Sequence, residues 1–257
     1  MTTKAKKETS AMISNVTLDK LRELRLQGMS QALEEQLAGD DFAEMTFEER
    51  FGLLVDRETT YRDNRRLQTR IKKAKLSPMA CMEDVNYRHR RGLDRSVMKT
   101  LGTCQWIRER LHVLITGPTG VGKTFLAQAL AHRACVNGFS ALQYRVPRLF
   151  RDLAVARGDG RYPRLMNAIA KASVLILDDW GLAPLEDNDR LELLEILEER
   201  QGRGSLVVTS QLPVGKWHDA VGNATLADAI LDRIVHGAYR LELDGESMRK
   251  ANAGSKK

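Results

Sequence analysis

The sequence predicts an α/β fold: a parallel sheet of five strands with helices on both faces, preceded by a small all-helical region. Three observations predict it. After about residue 97, five apolar runs rich in β-branched residues alternate with helical patterns. The first run opens directly into the glycine-rich "GPTGVGKT" and then an amphipathic helix. From residue 17 to about 76 the apolar spacing is helical, without a strand pattern.

In chain order, "TLDKLRELRLQGMSQALEEQLA" places Leu18, Leu21, Leu24, Met29 and Leu33 at near-helical spacing and reads as one helix. "TFEERF" starts the next. Thr46 and Glu49 have the spacing of a capping box, which satisfies free N–H groups at a helix start. Phe47, Phe51, Leu54, Val55 and Tyr61 form its apolar stripe. Its other face carries Arg57, Arg62, Arg65, Arg66 and Arg70, then Lys72 and Lys73. Ser77-Pro78 should stop it. The strands are read at 111–116, 141–146, 174–178, 205–209 and 239–243, with helical runs 125–138, 147–158, 163–172 and 189–201 between them. Gly138 sits where a helix C-terminal glycine belongs. The domains expected are a polar tail (1–16), a helical domain that contacts DNA or a partner (17–96), an NTPase domain (97–250) and a second tail (251–257), both tails disordered.

Net charge is +7, and its placement is uneven. From Arg57 to Lys99, 13 Lys/Arg stand against 5 Asp/Glu, whereas Met1 to Asp56 has 7 against 11. Such a block suits a polyanion. Tyr87 among Arg88, Arg90 and Arg91 fits phosphate contacts beside an aromatic, or else a solvated charged face. Cys81, Cys104 and Cys135 are odd in number and far apart, which argues against a metal site or a disulfide framework. No apolar run is long enough to span a bilayer, and "MTTKAKKETS" lacks the apolar segment of a secretory signal. A cytoplasmic protein is expected.

The loop after the first strand has the G-x-x-x-x-G-K-T pattern of a phosphate-binding loop. Gly117, Gly120 and Gly122 let backbone wrap phosphates, with Pro118, Thr119, Val121 and Phe125 completing the stretch. Lys123 should reach the β- and γ-phosphates and Thr124 should ligate Mg²⁺. ATP and Mg²⁺ are thus the expected ligands. In "LILDDWG", Asp178 and Asp179 end a buried strand, where alternation aims their side chains in different directions. Asp178 fits the aspartate that holds Mg²⁺, and Asp179 would orient or deprotonate the attacking water or only tune charge. Ser210 and Gln211, at the end of "SLVVTSQLP", would lie near the γ-phosphate or form an ordinary polar loop.

These stretches, with "LADAILDRIVHGA" and "LELDGESMR", resemble the IstB-like ATP-binding proteins. These are AAA+ ATPases carried by insertion sequences, akin to DnaC helicase loaders and DnaA initiators. The resemblance runs from about residue 17 to 250. It implies an AAA+ fold and a homo-oligomer with nucleotide at the subunit interface. Arg233 is then the arginine offered to a neighbour's γ-phosphate, the alternative being a surface arginine paired with Asp232. Arg249 takes a sensor-like position. Asp179 stands where AAA+ proteins usually have glutamate, and Gln211 where a sensor asparagine is common, so slow, DNA-stimulated hydrolysis is expected. The resemblance implies an ATP-dependent transposition helper. It would assemble with ATP on double-stranded DNA, recruit or stimulate the transposase of the same element, and be reset by hydrolysis. DNA contacts are expected from Arg65, Arg66, Arg70, Lys72, Lys73, Arg88, Arg90 and Arg91, and from Arg148 and Arg151. A helicase loader and a weakly hydrolysing, nucleotide-switched scaffold are the alternatives.

Overall fold

The computed structural model describes residues 15–39, 41–77 and 80–248. The two predicted tails, Arg249 and the helix-stopping Pro78 lie outside the described residues, apart from positions 15 and 16 of the first tail. Contacts divide the chain into two compact units, Met1–Thr69 and Arg70–Lys257. Residues 70–96 therefore fall in the second unit.

The first unit is helical: α1 (residues 15–23), α2 (Gln27–Ala38) and most of α3 (Phe47–Ala74). The single helix expected over α1 and α2 is broken. Arg25 takes a left-handed conformation (φ 60°), and Leu26 N–H closes back onto the Leu21 carbonyl at 2.8 Å. α2 then packs closely on α3, where a Cβ on Gly28 would stand 2.6 Å from the Arg57 carbonyl oxygen. The Leu26 side chain cannot cap α2, and Glu58 of α3 does so instead. Its Oε2 accepts from Gly28 N–H at 2.7 Å and Met29 N–H at 3.1 Å.

The capping box forms as read. Thr46 N–H donates to Glu49 Oε2 at 2.8 Å, and Glu49 N–H to Thr46 Oγ1 at 3.3 Å. The apolar stripe of α3 is largely uncovered within this unit: Phe47 is 76% exposed, and Phe51 and Val55 are also exposed. Periodicity marks an apolar face but not what covers it. The unit's interior is partly polar, with Gln36 donating to the Arg50 carbonyl.

The second unit continues through α4 (Arg95–Gly102), capped by Asp94, and the short α5 (Gln105–Arg108) into the sheet. The strands are β1 (Val113–Thr116), β2 (Ala141–Arg145), β3 (Val174–Trp180), β4 (Ser205–Ser210) and β5 (Tyr239–Glu242). They lie in the order β2-β3-β4-β1-β5, and every pairing is parallel. Between them run α6 (Lys123–Val136), α7 (Val146–Gly158), α8 (Tyr162–Lys171), α9 (Asp187–Arg200), α10 (Trp217–Val221) and α11 (Ala224–Val235). The first strand starts two residues later than read, because Arg110 is left-handed and Leu111 N–H turns back to the Trp106 carbonyl.

Alternation along the strands sorts the sheet into two faces. Leu114, Leu175, Leu177, Leu206 and Val208 join one core with side chains from α7, α8, α9 and α11. Val113, Ile115, Val174, Ile176 and Val207, all fully buried, take the opposite face, where α6 packs against β3 and β4. Asp178 and Thr209 continue this second series, so the register alone carries them toward α6. No helix among the described residues is long and apolar enough to cross a membrane.

Glu58 is held below the usual glutamate range. Burial alone would raise it, but Arg62 and the N–H groups of Met29 and Gly28 together outweigh that. A carboxylate lowered by folding stabilises above its ordinary value, and that contribution vanishes as pH falls through the lowered one. Glu58→Gln should cost about 1–3 kcal/mol at neutral pH. Thermal unfolding should also show a smaller loss of stability below pH 4.5 in the variant than in the wild type.

Candidate nucleotide site

The loop 117–122 joins the end of β1 to α6, so the N–H groups of the first turn of α6 face the space above the sheet. Gly122, the residue before α6, has φ 96°, and a Cβ there would meet Arg91 Nη1 at 2.5 Å. Gly120 has φ 89° and lies under Ser247, whose Oγ would be 2.1 Å from an added Cβ. A strap of residues 243–248 passes over the loop. Leu243 N–H donates to the Thr116 carbonyl at 2.8 Å and Met248 N–H to the Gly120 carbonyl at 3.0 Å.

Lys123 folds back over this loop and is 8% exposed. Its Nζ donates to the Gly117 and Pro118 carbonyls at 2.6 and 2.8 Å. Burial pushes the ammonium below the usual lysine range, and Asp179 and Asp178 pull it partly back. Thr124 Oγ1 donates to Asp178 Oδ1 at 2.9 Å. Asp178 is 3% exposed and also accepts from Thr209 Oγ1, on the same sheet face. No cationic side chain pairs with it among the described residues, so its negative charge is available to a cation.

Asp179 departs from regular strand geometry. Its φ is +61°, and the β3–β4 register shifts between Leu177 and Trp180. This bulge breaks the alternation that would separate the two carboxylates. Asp178 meets Thr124, while Asp179 lines the same cavity as Thr124 and Lys123. The bulged Asp179 N–H donates to Thr209 Oγ1 at 3.1 Å. One hydroxyl thus addresses both aspartates. The Asp179 carboxylate is clasped by Arg145, from the end of β2, with Nη2 at 2.6 Å and Nε at 2.8 Å. Gln211 Oε1 accepts from Thr119 Oγ1 at 2.8 Å, which ties the end of β4 to the loop. Ser210 turns away, contrary to expectation. It is buried and donates to the Trp180 carbonyl at 2.8 Å.

A cavity of about 530 Å³ opens beside the loop. Lys123, Thr124, Phe125, Asp179 and Gln211 line it, together with Asp84, Asn86, Arg91 and Met248. Loop N–H groups and a lysine suit a polyphosphate. The described residues hold no group of three or more His, Cys, Asp or Glu that could cage a metal ion. A hydroxyl and one carboxylate beside a phosphate site do suit Mg²⁺, which keeps waters and phosphate oxygens as ligands. Thr124 and Asp178 would hold it.

Other predicted residues lie elsewhere. Arg233 is absent from this cavity. Its Nη1 donates to the Ala229 carbonyl at 2.7 Å, and its Nη2 pairs with Glu198 at 3.1 Å rather than with Asp232. Arg65, Arg66, Lys72, Lys73, Arg88, Arg90, Arg148 and Arg151 are exposed, with Arg66 paired to Asp63. Arg70 donates through Nε to the Cys135 carbonyl at 3.0 Å. Arg91 is the exception: at 1% exposure it cannot offer its charge to a DNA backbone as expected. The three cysteines are free, and burial raises the Cys135 thiol to about 11.

Sequence reasoning missed Arg145 and Thr209. Each sits at the carboxyl end of a predicted strand, where ligand groups gather in such sheets, so position was the available signal. Thr209→Val keeps the shape of the side chain and removes both aspartate contacts. It should weaken Mg²⁺-dependent ATP binding or turnover by roughly tenfold or more, with little change in metal-free nucleotide affinity, as titration calorimetry with and without Mg²⁺ would show.

The comparisons with known proteins concern the family and the fold. The model of the family "IstB-like ATP binding protein" matches residues 19–255. A Sinorhizobium fredii (strain NBRC 101917 / NGR234) protein named as an insertion sequence ATP-binding protein is 50% identical over 239 residues, covering 93% of this chain and 98% of its own. Among solved structures, DnaI superposes with a TM-score of 0.55 at 24% identity, over 64% of this chain and 91% of its own. The replication initiator DnaA, bound to AMPPCP and single-stranded DNA, gives 0.54 at 17%, over 70% and 55%. Both likenesses concern the fold, which is that of the AAA+ P-loop proteins. With a family match over nearly its whole length and the phosphate-binding site assembled, this chain belongs to the IstB-like ATP-binding proteins of insertion sequences.

Proposed function

We propose that the protein is an ATP-dependent transposition helper. It binds ATP, assembles as a homo-oligomer on duplex DNA, and there recruits or stimulates the transposase of its own element. Hydrolysis resets the complex. The observation that carries this reading is the single cavity joining Lys123, Thr124 and Asp179, with Asp178 bonded to Thr124, in a chain whose relatives are named for insertion sequences.

In this reading the loop N–H groups and Lys123 hold the β- and γ-phosphates. Lys123 exchanges its carbonyl partners at Gly117 and Pro118 for phosphate oxygens. Bound Mg²⁺ would supply neutralisation of the developing phosphate charge. Asp179 orients the attacking water and accepts its proton, and Gln211 lies beside the terminal phosphate. Arg233, outside its own chain's cavity, is offered to a neighbour's γ-phosphate; that step requires it to leave Glu198. The exposed arginines and lysines make sequence-tolerant, salt-sensitive DNA contacts.

One observation favours a second reading, a nucleotide-switched scaffold with little turnover. Arg145 holds the Asp179 carboxylate through two contacts to Oδ2, so that oxygen is already engaged where an attacking water would need it. Turnover with and without duplex DNA separates the two. The helper should be slow alone and several-fold faster with DNA. Arg145→Ala should raise the rate without DNA, and Asp179→Asn should lower the stimulated rate by about a hundredfold or more. Equal, minimal rates in wild type and Arg145→Ala, with or without DNA, would favour the scaffold. Electron microscopy with DNA and a non-hydrolysable ATP analogue should show nucleotide-dependent oligomers in either case; their absence would rule out both.

A further inference from the structure

Residues 86–92 belong to no helix or strand, yet Arg91 among them is one of the most buried large side chains in the protein. Its guanidinium reaches three separate segments. Nη1 donates to the Val121 carbonyl of the phosphate-binding loop at 2.5 Å and to the Met248 sulfur at 3.0 Å, and Nη2 donates to the Asn86 carbonyl at 3.3 Å. Its backbone carbonyl accepts from Asp244 N–H at 3.1 Å. Nearby, His89 Nε2 lies 3.2 Å from the Glu246 carbonyl, and a Cβ on Gly245 would stand 2.7 Å from the Arg90 carbonyl. The loop is therefore held both by residues 86–92 and by the strap 243–248, with Arg91 in contact with loop and strap alike.

Two further features point to the nucleotide. None of Arg91's partners among the described residues is a carboxylate, so a buried positive charge lacks a counter-charge, which is costly without an anion. Its Nε–H is also buried without a hydrogen-bond partner, although the residue lines the nucleotide cavity. Bound phosphates would supply negative charge within the same cavity.

We infer that Arg91 is a positioning residue of the nucleotide site, locking the phosphate-binding loop to the strap, so that ATP affinity rather than DNA affinity depends on it. The inference rests on ATP binding in this cavity. Lysine cannot replace it, since a single ammonium cannot span Val121, Asn86 and Met248 in a plane.

The test uses the full chain as wild type, Arg91→Lys and Arg88→Gln. Titration calorimetry with ATP should show Arg91→Lys binding at least tenfold more weakly at unchanged stoichiometry. A merely structural role would instead lower the stoichiometry, by loss of folded protein, and leave the dissociation constant alone. DNA affinity without nucleotide, measured against salt concentration, should keep its slope in Arg91→Lys and become shallower in Arg88→Gln. ATP affinity within twofold of wild type in Arg91→Lys, or a shallower salt slope in that variant, would overturn the inference. Should Arg91→Lys fail to fold, hydrogen exchange on the wild type decides. ADP should protect residues 86–92 and 243–248 together, and protection of the loop without these two segments would overturn the inference. Absence of ATP binding by the wild type would instead sink the underlying ATP reading.

Discussion

A loop that binds phosphate through its own backbone has few side chains with which to hold its shape. Glycine permits the close approach and removes the steric walls that would define one conformation. The shape must therefore be imposed from outside, and much of the surrounding structure does this. β1 and α6 anchor the two ends of the loop. Lys123 braces it from within through two of its carbonyls. Thr119 is tied to Gln211, and the strap bonds at Thr116 and Gly120. Many of these restraints are hydrogen bonds to carbonyls, which leaves loop N–H groups to a ligand.

The same economy of donors governs the acidic side of the site. Two adjacent carboxylates beside one lysine would repel if both pointed freely into the cavity. They are handled differently. Asp178 is buried and held by two hydroxyls, which leaves its charge for a cation. Asp179 is displaced by a bulge and meets a guanidinium. The positive φ at Asp179 is the backbone cost of turning this second carboxylate to the cavity beside Thr124, a conformation aspartate tolerates better than most residues.

The order and kind of the sheet elements were legible because buried parallel strands and amphipathic helices write their periodicity into the sequence, as "LILDDWG" and "FLAQALAHRA" do. The phosphate loop was legible because its chemistry needs fixed glycines. What escaped was set by contacts between distant segments. Nothing near Gly28 announces that Glu58 will cap it, and nothing near Arg91 distinguishes it from the exposed Arg88 and Arg90. Arginine patterning alone reads all three as a charged face. Only the positions of residues 121 and 248 reveal that one of them is a structural pin. The bulge at Asp179 was likewise invisible, since it depends on how β3 and β4 register.

The strap has a consequence for the time course of synthesis. The phosphate loop and its bracing residues 86–92 leave the ribosome more than a hundred residues before residues 243–248 do. β5, which flanks β1 directly, is also made after the loop. Until then the nascent chain carries the glycine-rich loop without its outer restraint. The loop therefore gains its outer restraint only after β5 has been made, so a chain truncated before residue 243 would retain the motif while lacking the wall that gives the motif its shape.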